Sequence, residues 1–309
     1  MRGKGRAIEW PTVALAAAIH GGWASLTFYH DLLSPWLAAA LGALLIAWHS
    51  SFQHETIHGH PTPWPSVNRL LGALPLSLWL PYERYRATHL QHHRDERITD
   101  PLDDPESAYL TPEEWRRLNP LKRTLIAAQT TLLGRLVIGP AWSIGRFLAA
   151  ETRAIIAGDR QRARIWAMHL GGVGLVLCWL GVVCGISLWL YALAIVYPGT
   201  SLILLRAFAE HRAAASIGQR TAIVETAVIL GPLFLFNNLH AVHHAKPGLP
   251  WYALPRWYRR NRAELAAENG GLVYSSYFEI ARRFLLRPHD TVTHPLGRAP
   301  AAMPAEARL

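Results

Sequence analysis

The chain has 309 residues, of which 51% are hydrophobic, 13 are tryptophan and only 17% are charged, whereas a soluble domain carries roughly 25% charged residues; an ordinary water-soluble globule is excluded. The net charge of +10 would suit a nucleic acid, but Arg2 and Lys4, Arg160, Arg162 and Arg164, and Arg256, Arg259, Arg260 and Arg262 all flank apolar runs. That pattern belongs to cytoplasmic loops beside anionic lipid, so the expected surroundings are a membrane and no nucleic-acid partner is expected.

In chain order, apolar runs at 10–29, 35–52, 165–184 and 186–205 are each close to the roughly 20 helical residues that cross a hydrocarbon layer, and predict four transmembrane helices. The first follows Arg2, Lys4 and Arg6 as a signal peptide would, but it is long and lacks a small-residue cleavage site, so it reads as a retained span. With the basic amino terminus inside, the turn at 29–34 lies outside and the polar stretch 83–123 stays inside. Two further apolar runs, 70–81 and 223–239, cannot cross without separating histidines that belong together; they are expected to be re-entrant or interfacial. Residues 121–142 mix leucines with Lys122, Arg123 and Arg135 as an in-plane helix does. Cys178 and Cys184 imply no disulfide. The fold expected is all-α and multi-pass, one domain over 1–309, with a cytoplasmic histidine-rich cap, interfacial helices and a loose tail over 288–309.

The chemistry lies in a repeated pattern. His89-Leu-Gln-His92-His93 and His240-Ala-Val-His243-His244 are both H-x-x-H-H, and His54-Glu-Thr-Ile-His58 precedes them. Residues at i, i+3 and i+4 of a helix are neighbours on its surface, so each pentad is expected to aim three imidazoles at one point. With His211 at the inner end of the fourth span, nine candidate ligands gather on one face: His54, His58, His89, His92, His93, His211, His240, His243 and His244. Nine imidazoles exceed what one zinc ion uses, and two irons are the better match among metals that imidazole suits. His54-Glu55-Thr-Ile-His58 also fits the H-E-x-x-H of zinc proteases, with Glu55 as general base, but a protease leaves both pentads unexplained. A metal transporter would spread its stations through the membrane interior. His20, His49, His60 and His169 are expected to serve packing, and His294 to be replaceable.

The chain resembles the membrane fatty acid desaturase superfamily, which includes carotenoid ketolases and hydroxylases and alkane hydroxylases. The resemblance runs from the second span to about Tyr258. It is carried by His54-Glu-Thr-Ile-His58, by Arg86-Ala-Thr-His89-Leu-Gln-His92-His93 with Asp100-Pro101, by Arg206-Ala-Phe-Ala-Glu210-His211, and by Asn237-Asn-Leu-His240-Ala-Val-His243-His244 continuing to Pro250-Trp251-Tyr252. It implies two iron ions held by the histidine boxes and an O2-dependent attack on an unactivated C–H bond. The substrate is expected to be a lipid or acyl chain, with a carotenoid ketolase or hydroxylase, or another lipid hydroxylase, as the alternative. Electrons are expected from a separate ferredoxin-, rubredoxin- or cytochrome-type donor, and the location from a bacterial cytoplasmic membrane with the site facing the cytoplasm. Candidates to orient the imidazoles are Asp100, Glu210 and Asn238, with Asp95, Asp103 and Asp104 behind them.

Overall fold

The computed structural model describes residues 7–94 and 97–297; Arg2, Lys4, Arg6 and Asp95 lie outside them. Helix α1 (Trp10–Phe28) and helix α2 (Pro35–Ile57) form an antiparallel pair. Each begins with proline in its first turn, where a missing N–H costs nothing, and Ser34 caps α2 by accepting from the Leu37 N–H. Short helix α3 (Pro65–Gly72) follows, then helix α4 (Tyr82–His92). Helices α5 (Pro112–Arg117), α6 (Pro120–Ala128), α7 (Leu132–Val137) and α8 (Gly139–Ile156) come next, and then the long hairpin of α9 (Arg160–Val183) and α10 (Leu188–Phe208).

Among the described residues three helices are long and apolar enough to cross a membrane: α2, α9 and α10. These are three of the four spans expected from the sequence; the fourth, helix α1, falls short of that criterion. Helix α1 has 19 residues, but His20, Gly21, Gly22, Thr12 and Thr27 dilute its apolarity. It packs Leu15, Ala16 and Ile19 against Phe52 of α2. Trp36 and Trp189, at the starts of α2 and α10, are both highly exposed, as interfacial tryptophans are. Where α2 meets α10, Gly42 and Gly199 permit close approach: a Cβ on Gly199 would stand 2.6 Å from Ile46.

The run 70–81 does not cross. Helix α3 stops at Gly72 and the chain then turns, with Leu78 at φ 68°. Leu76 is buried against Trp23, Ile46, Val176 and Leu180, and its carbonyl accepts from the Tyr191 hydroxyl at 2.8 Å. His169 meets the carbonyl of Leu78 at 2.9 Å, so an intramembrane histidine with no visible sequence partner satisfies this turn's backbone. Glu151 of α8, buried, receives Arg84 of α4 at 3.0 Å, Arg162 of α9 at 3.1 Å and the Trp166 indole N–H at 3.0 Å, which ties α4 to the hairpin.

The run 223–239 contains no helix long enough to cross. It holds strand β1 (Ile223–Thr226), helix α11 (Leu230–Leu233) and a tight reversal. Helix α12 (His240–Ala245) and helix α13 (Leu254–Glu268) lead to strand β2 (Val273–Ser276), which pairs parallel to β1 with Ile223 opposite Val273, and helix α14 (Tyr277–Phe284) closes the cap. The molecule is mostly helical, as expected, but these strands correct the all-α reading. They bury Val224 and Tyr274 in a core with Phe208, Phe234 and Ile280. Of the tail, residues 298–309 lie outside the described residues, while in 288–297 His289 bonds to the Thr130 carbonyl and the Tyr274 hydroxyl, and Thr293 bridges to Leu110. His294 is buried and contacts Thr99 at 3.3 Å, so its loss is expected to act on folding rather than chemistry.

Candidate metal centre

Helix α2 carries His54 and His58 on its last turn. Thr56 between them donates to the Tyr82 hydroxyl at 3.0 Å, and Gln53 to the Gly72 carbonyl at 2.8 Å, so the start of α4 is fixed against α2. Helix α4 then delivers His89 and His92, with His93 as its C-cap. The third contribution depends on a backbone reversal: Leu235 and Phe236 both have positive φ, 49° and 56°, a conformation that costs of order 1–3 kcal/mol per non-glycine residue unless packing imposes it. Packing does so here, because Leu235 is buried with Phe52 and Phe236 stacks on Trp251. The reversal starts α12 at His240.

All nine predicted histidines converge, in two adjoining groups. One comprises His54, His58, His89, His93 and His243; the other, His92, His211, His240 and His244; within each group the nearest ring nitrogens all lie within 4.8 Å of one another. This corrects the idea that a pentad aims at one point. His89 and His93 serve the first group and His92 the second, while His243 serves the first and His240 and His244 the second. Positions i and i+4 lie about 40° apart around a helix and i+3 falls on the other side of i, so each pentad straddles both groups.

The proton positions explain why a cation fits. The Nδ1 of His92 faces Asp104 Oδ1 at 2.9 Å, that of His89 faces Glu106 Oε1 at 2.9 Å, that of His211 the Arg220 carbonyl at 3.2 Å, and that of His240 Asn237 Oδ1 at 3.2 Å. Each partner is an oxygen acceptor, so the ring proton sits on Nδ1 and the lone pair on Nε2. Those Nε2 atoms then confront each other: His92 and His211 at 3.0 Å, His211 and His240 at 2.9 Å. In the first group His58 and His89 stand 3.0 Å apart and His243 and His93 2.9 Å. His54 Nε2 is buried without a hydrogen-bond partner. Lone pairs opposed at this distance repel unless a cation, either a proton or a metal ion, lies between them.

The spacing also bears on coordination. Nitrogens about 2.1 Å from a shared ion stand about 3.0 Å apart at right angles and about 3.4 Å apart at the tetrahedral angle. The observed 2.9–3.1 Å between the closest pairs lies nearer the right-angle separation. Burial first, and then the facing imidazoles, hold His211, His240 and His243 well below the usual histidine range, so they are neutral, the ligating form. Burial would lower His92 too, but the carboxylates of Glu106 and Asp104 outweigh it and push it up to about 9; that field favours positive charge at its Nε2.

Of the proposed orienting groups, Glu210 lies 3.4 Å from His240 Nδ1 and is itself paired with Arg206 at 2.8 Å. Asp100 instead accepts the Leu102 and Asp103 N–H groups, and Asn238 donates to the Val224 carbonyl; neither is hydrogen-bonded to an imidazole among the described residues. Asp104, Glu106 and Asn237 occupy the orienting positions. Asp104 is a weaker expectation of the sequence than Asp100, and Glu106 and Asn237 are not expected from it as orienting groups; the signal for Glu106 is the acidic run Asp103-Asp104-Pro-Glu106 after the second box, and that for Asn237 its place three residues before His240. Glu55 does not point into either group: it accepts the Trp251 N–H at 3.2 Å, and a general base for a zinc protease is lacking at that place.

Asp104→Asn is expected to weaken metal binding about 10–100-fold, and to do so at the group containing His92 before the other. Metal titration resolving two sites checks this; equal weakening of both sites contradicts it.

A family model described as fatty acid desaturase matches residues 30–278. No curated protein matches the sequence.

Proposed function

The chain belongs to the fatty acid desaturase family, and from that premise we propose that it is a membrane-bound, O2-dependent, non-heme di-iron oxidoreductase that desaturates a fatty acyl chain. One observation carries the metal part: nine imidazoles in adjoining groups of five and four, their Nδ1 protons held by oxygen acceptors where those partners are seen, with Nε2 atoms 2.9–3.1 Å apart. His54, His58, His89, His93 and His243 would hold one ion, and His92, His211, His240 and His244 the other. When bound, the two irons would supply the activation of dioxygen needed to attack an unactivated C–H bond.

The protein's own residues position and exclude. Asp104, Glu106, Asn237 and Glu210 fix ring orientation and keep protons on the outer nitrogens. Phe208, Leu204 and Ala207 at the inner end of α10 line a cavity that reaches His211, Asp104 and Glu106, giving a methylene an apolar wall beside the ligand groups and limiting water. Electrons are taken from a separate ferredoxin-, rubredoxin- or cytochrome-type donor, and a site facing the cytoplasm in a bacterial inner membrane gives such a donor access.

Elemental analysis of the purified protein is expected to give about two irons per chain and little zinc, and lipids of an expressing host to contain acyl chains lighter by two hydrogens. One stoichiometric zinc without iron overturns the di-iron proposal. Iron with an oxygenated acyl chain or carotenoid instead moves the reaction to hydroxylation or ketolation.

A further inference from the structure

The cavity beside the second histidine group has a volume of about 250 Å³, and its lining is divided. His211, Asp104 and Glu106 lie on the metal side, Leu204 and Phe208 form an apolar wall, and Arg135 of α7 and Arg146 of α8 line it as well. Neither arginine makes an ion pair among the described residues. Arg135 donates its Nε–H to the Gln129 carbonyl at 3.2 Å, which leaves its other guanidinium donors for something else. Arg146 is exposed and Arg135 half-buried. Burial, and then the facing charge of Arg146, push Arg135 down to about 10.

Two guanidinium groups that line one cavity, neither of them ion-paired among the described residues, favour an anion between them. Their planar, multi-donor geometry suits carboxylate and phosphate oxygens. All four carboxylates that line the same cavity, Asp104, Glu106, Glu210 and Asp290, are already engaged: Asp104 with His92 and the Thr99 N–H, Glu106 with His89, Glu210 with Arg206, and Asp290 with the Tyr109 hydroxyl and Arg212. The anion must therefore come from outside the chain.

We propose that Arg135 and Arg146 form an anion-binding station that holds the carboxylate or phosphate head of the substrate, with its alkyl part directed along Leu204 and Phe208 toward His211. This rests on the lipid-oxidising reading and narrows it: the substrate is an anionic amphiphile rather than a neutral hydrocarbon or a pigment.

The test measures binding without turnover. Full-length, iron-loaded protein in a neutral detergent is titrated with palmitate, methyl palmitate and palmitoyl lysophosphatidate, for the wild type and for Arg135→Gln, Arg146→Gln and Arg146→Lys. Wild type is expected to bind at least one anionic probe about tenfold or more tightly than the ester, the order expected for losing one charge-assisted hydrogen bond. Preference for palmitate identifies a carboxylate head, and preference for lysophosphatidate a phosphate head. Each glutamine variant should lose most of that preference, Arg146→Lys should keep part of it, and iron content should be unchanged in all. Equal affinity for the ester and both anions in wild type, or an unaltered preference in both glutamine variants, overturns the station. Iron content separates this from the parent reading: a two-iron protein indifferent to head-group charge refutes the station alone, whereas an anion-selective protein without iron refutes the oxidoreductase.

Discussion

His89→Ala and His240→Ala, each removing one ring from a different group, are expected to abolish turnover while leaving the chain folded and in the membrane. His89 contributes two of the close Nε2 contacts in the first group, to His58 at 3.0 Å and His93 at 3.1 Å. His240 does the same in the second, with His211 at 2.9 Å and His244 at 3.1 Å. Losing an outer hydrogen-bond partner of a metal ligand costs about 10–100-fold; losing the ligand itself is expected to cost more than about 100-fold and to lower the bound iron by about one ion per chain. His30→Ala is the control, since that ring lies in the turn between α1 and α2 and pairs locally, with Asp31 at 2.9 Å and the Thr27 carbonyl at 3.0 Å. Product formation and iron content measured together decide the matter. Substantial turnover in both ligand variants, or its loss in His30→Ala as well, contradicts the assignment.

Removing the metal should be the second large effect. With Nδ1 protons committed to Asp104, Glu106, Asn237 and the Arg220 carbonyl, the metal-free protein is left with opposed lone pairs in a buried site. Three of the four contributing segments, at the ends of α2, α4 and α10, meet α12 there. An ion at about 1,000 times its dissociation constant stabilises by roughly 4 kcal/mol, and each kcal/mol shifts the midpoint of a domain of 150–250 residues by about 2–4 °C. Stripping the metal with a chelator is therefore expected to lower the unfolding midpoint by about 8–16 °C, reversed by added ferrous iron and not by magnesium. A midpoint unmoved by chelation would show that the histidine groups are stable without a cation and would count against both ions.

Eight of the nine histidines were legible because helical spacing is a local property: i, i+3 and i+4 share a region of surface whatever the rest of the chain does, and His54, His58, His89, His92, His93, His240, His243 and His244 stand in that pattern, while His211 was marked by its place at the end of an apolar run. Apolar length marked out α2, α9 and α10 by the same kind of local rule. How each pentad divides was not legible, since it depends on where α2, α4, α10 and α12 stand relative to one another. The carboxylates show the difference most clearly. Asp100, Asp103, Asp104 and Glu106 are equivalent in composition, but the turn that gives Thr99 a φ of 72° and its N–H to Asp104 aims Asp104 and Glu106 at imidazoles and Asp100 at its own backbone. The two strands escaped notice for a related reason: Ile223–Thr226 reads as apolar, and only its pairing with Val273–Ser276, some fifty residues on, decides that it is extended. Sequence by itself determined which histidines are candidate ligands and which segments are apolar enough for a membrane, because both follow from residue type and short-range period. Tertiary structure alone decided which rings share an ion, which acids hold them and what lines the cavity, because those depend on distances between segments that the chain order does not fix.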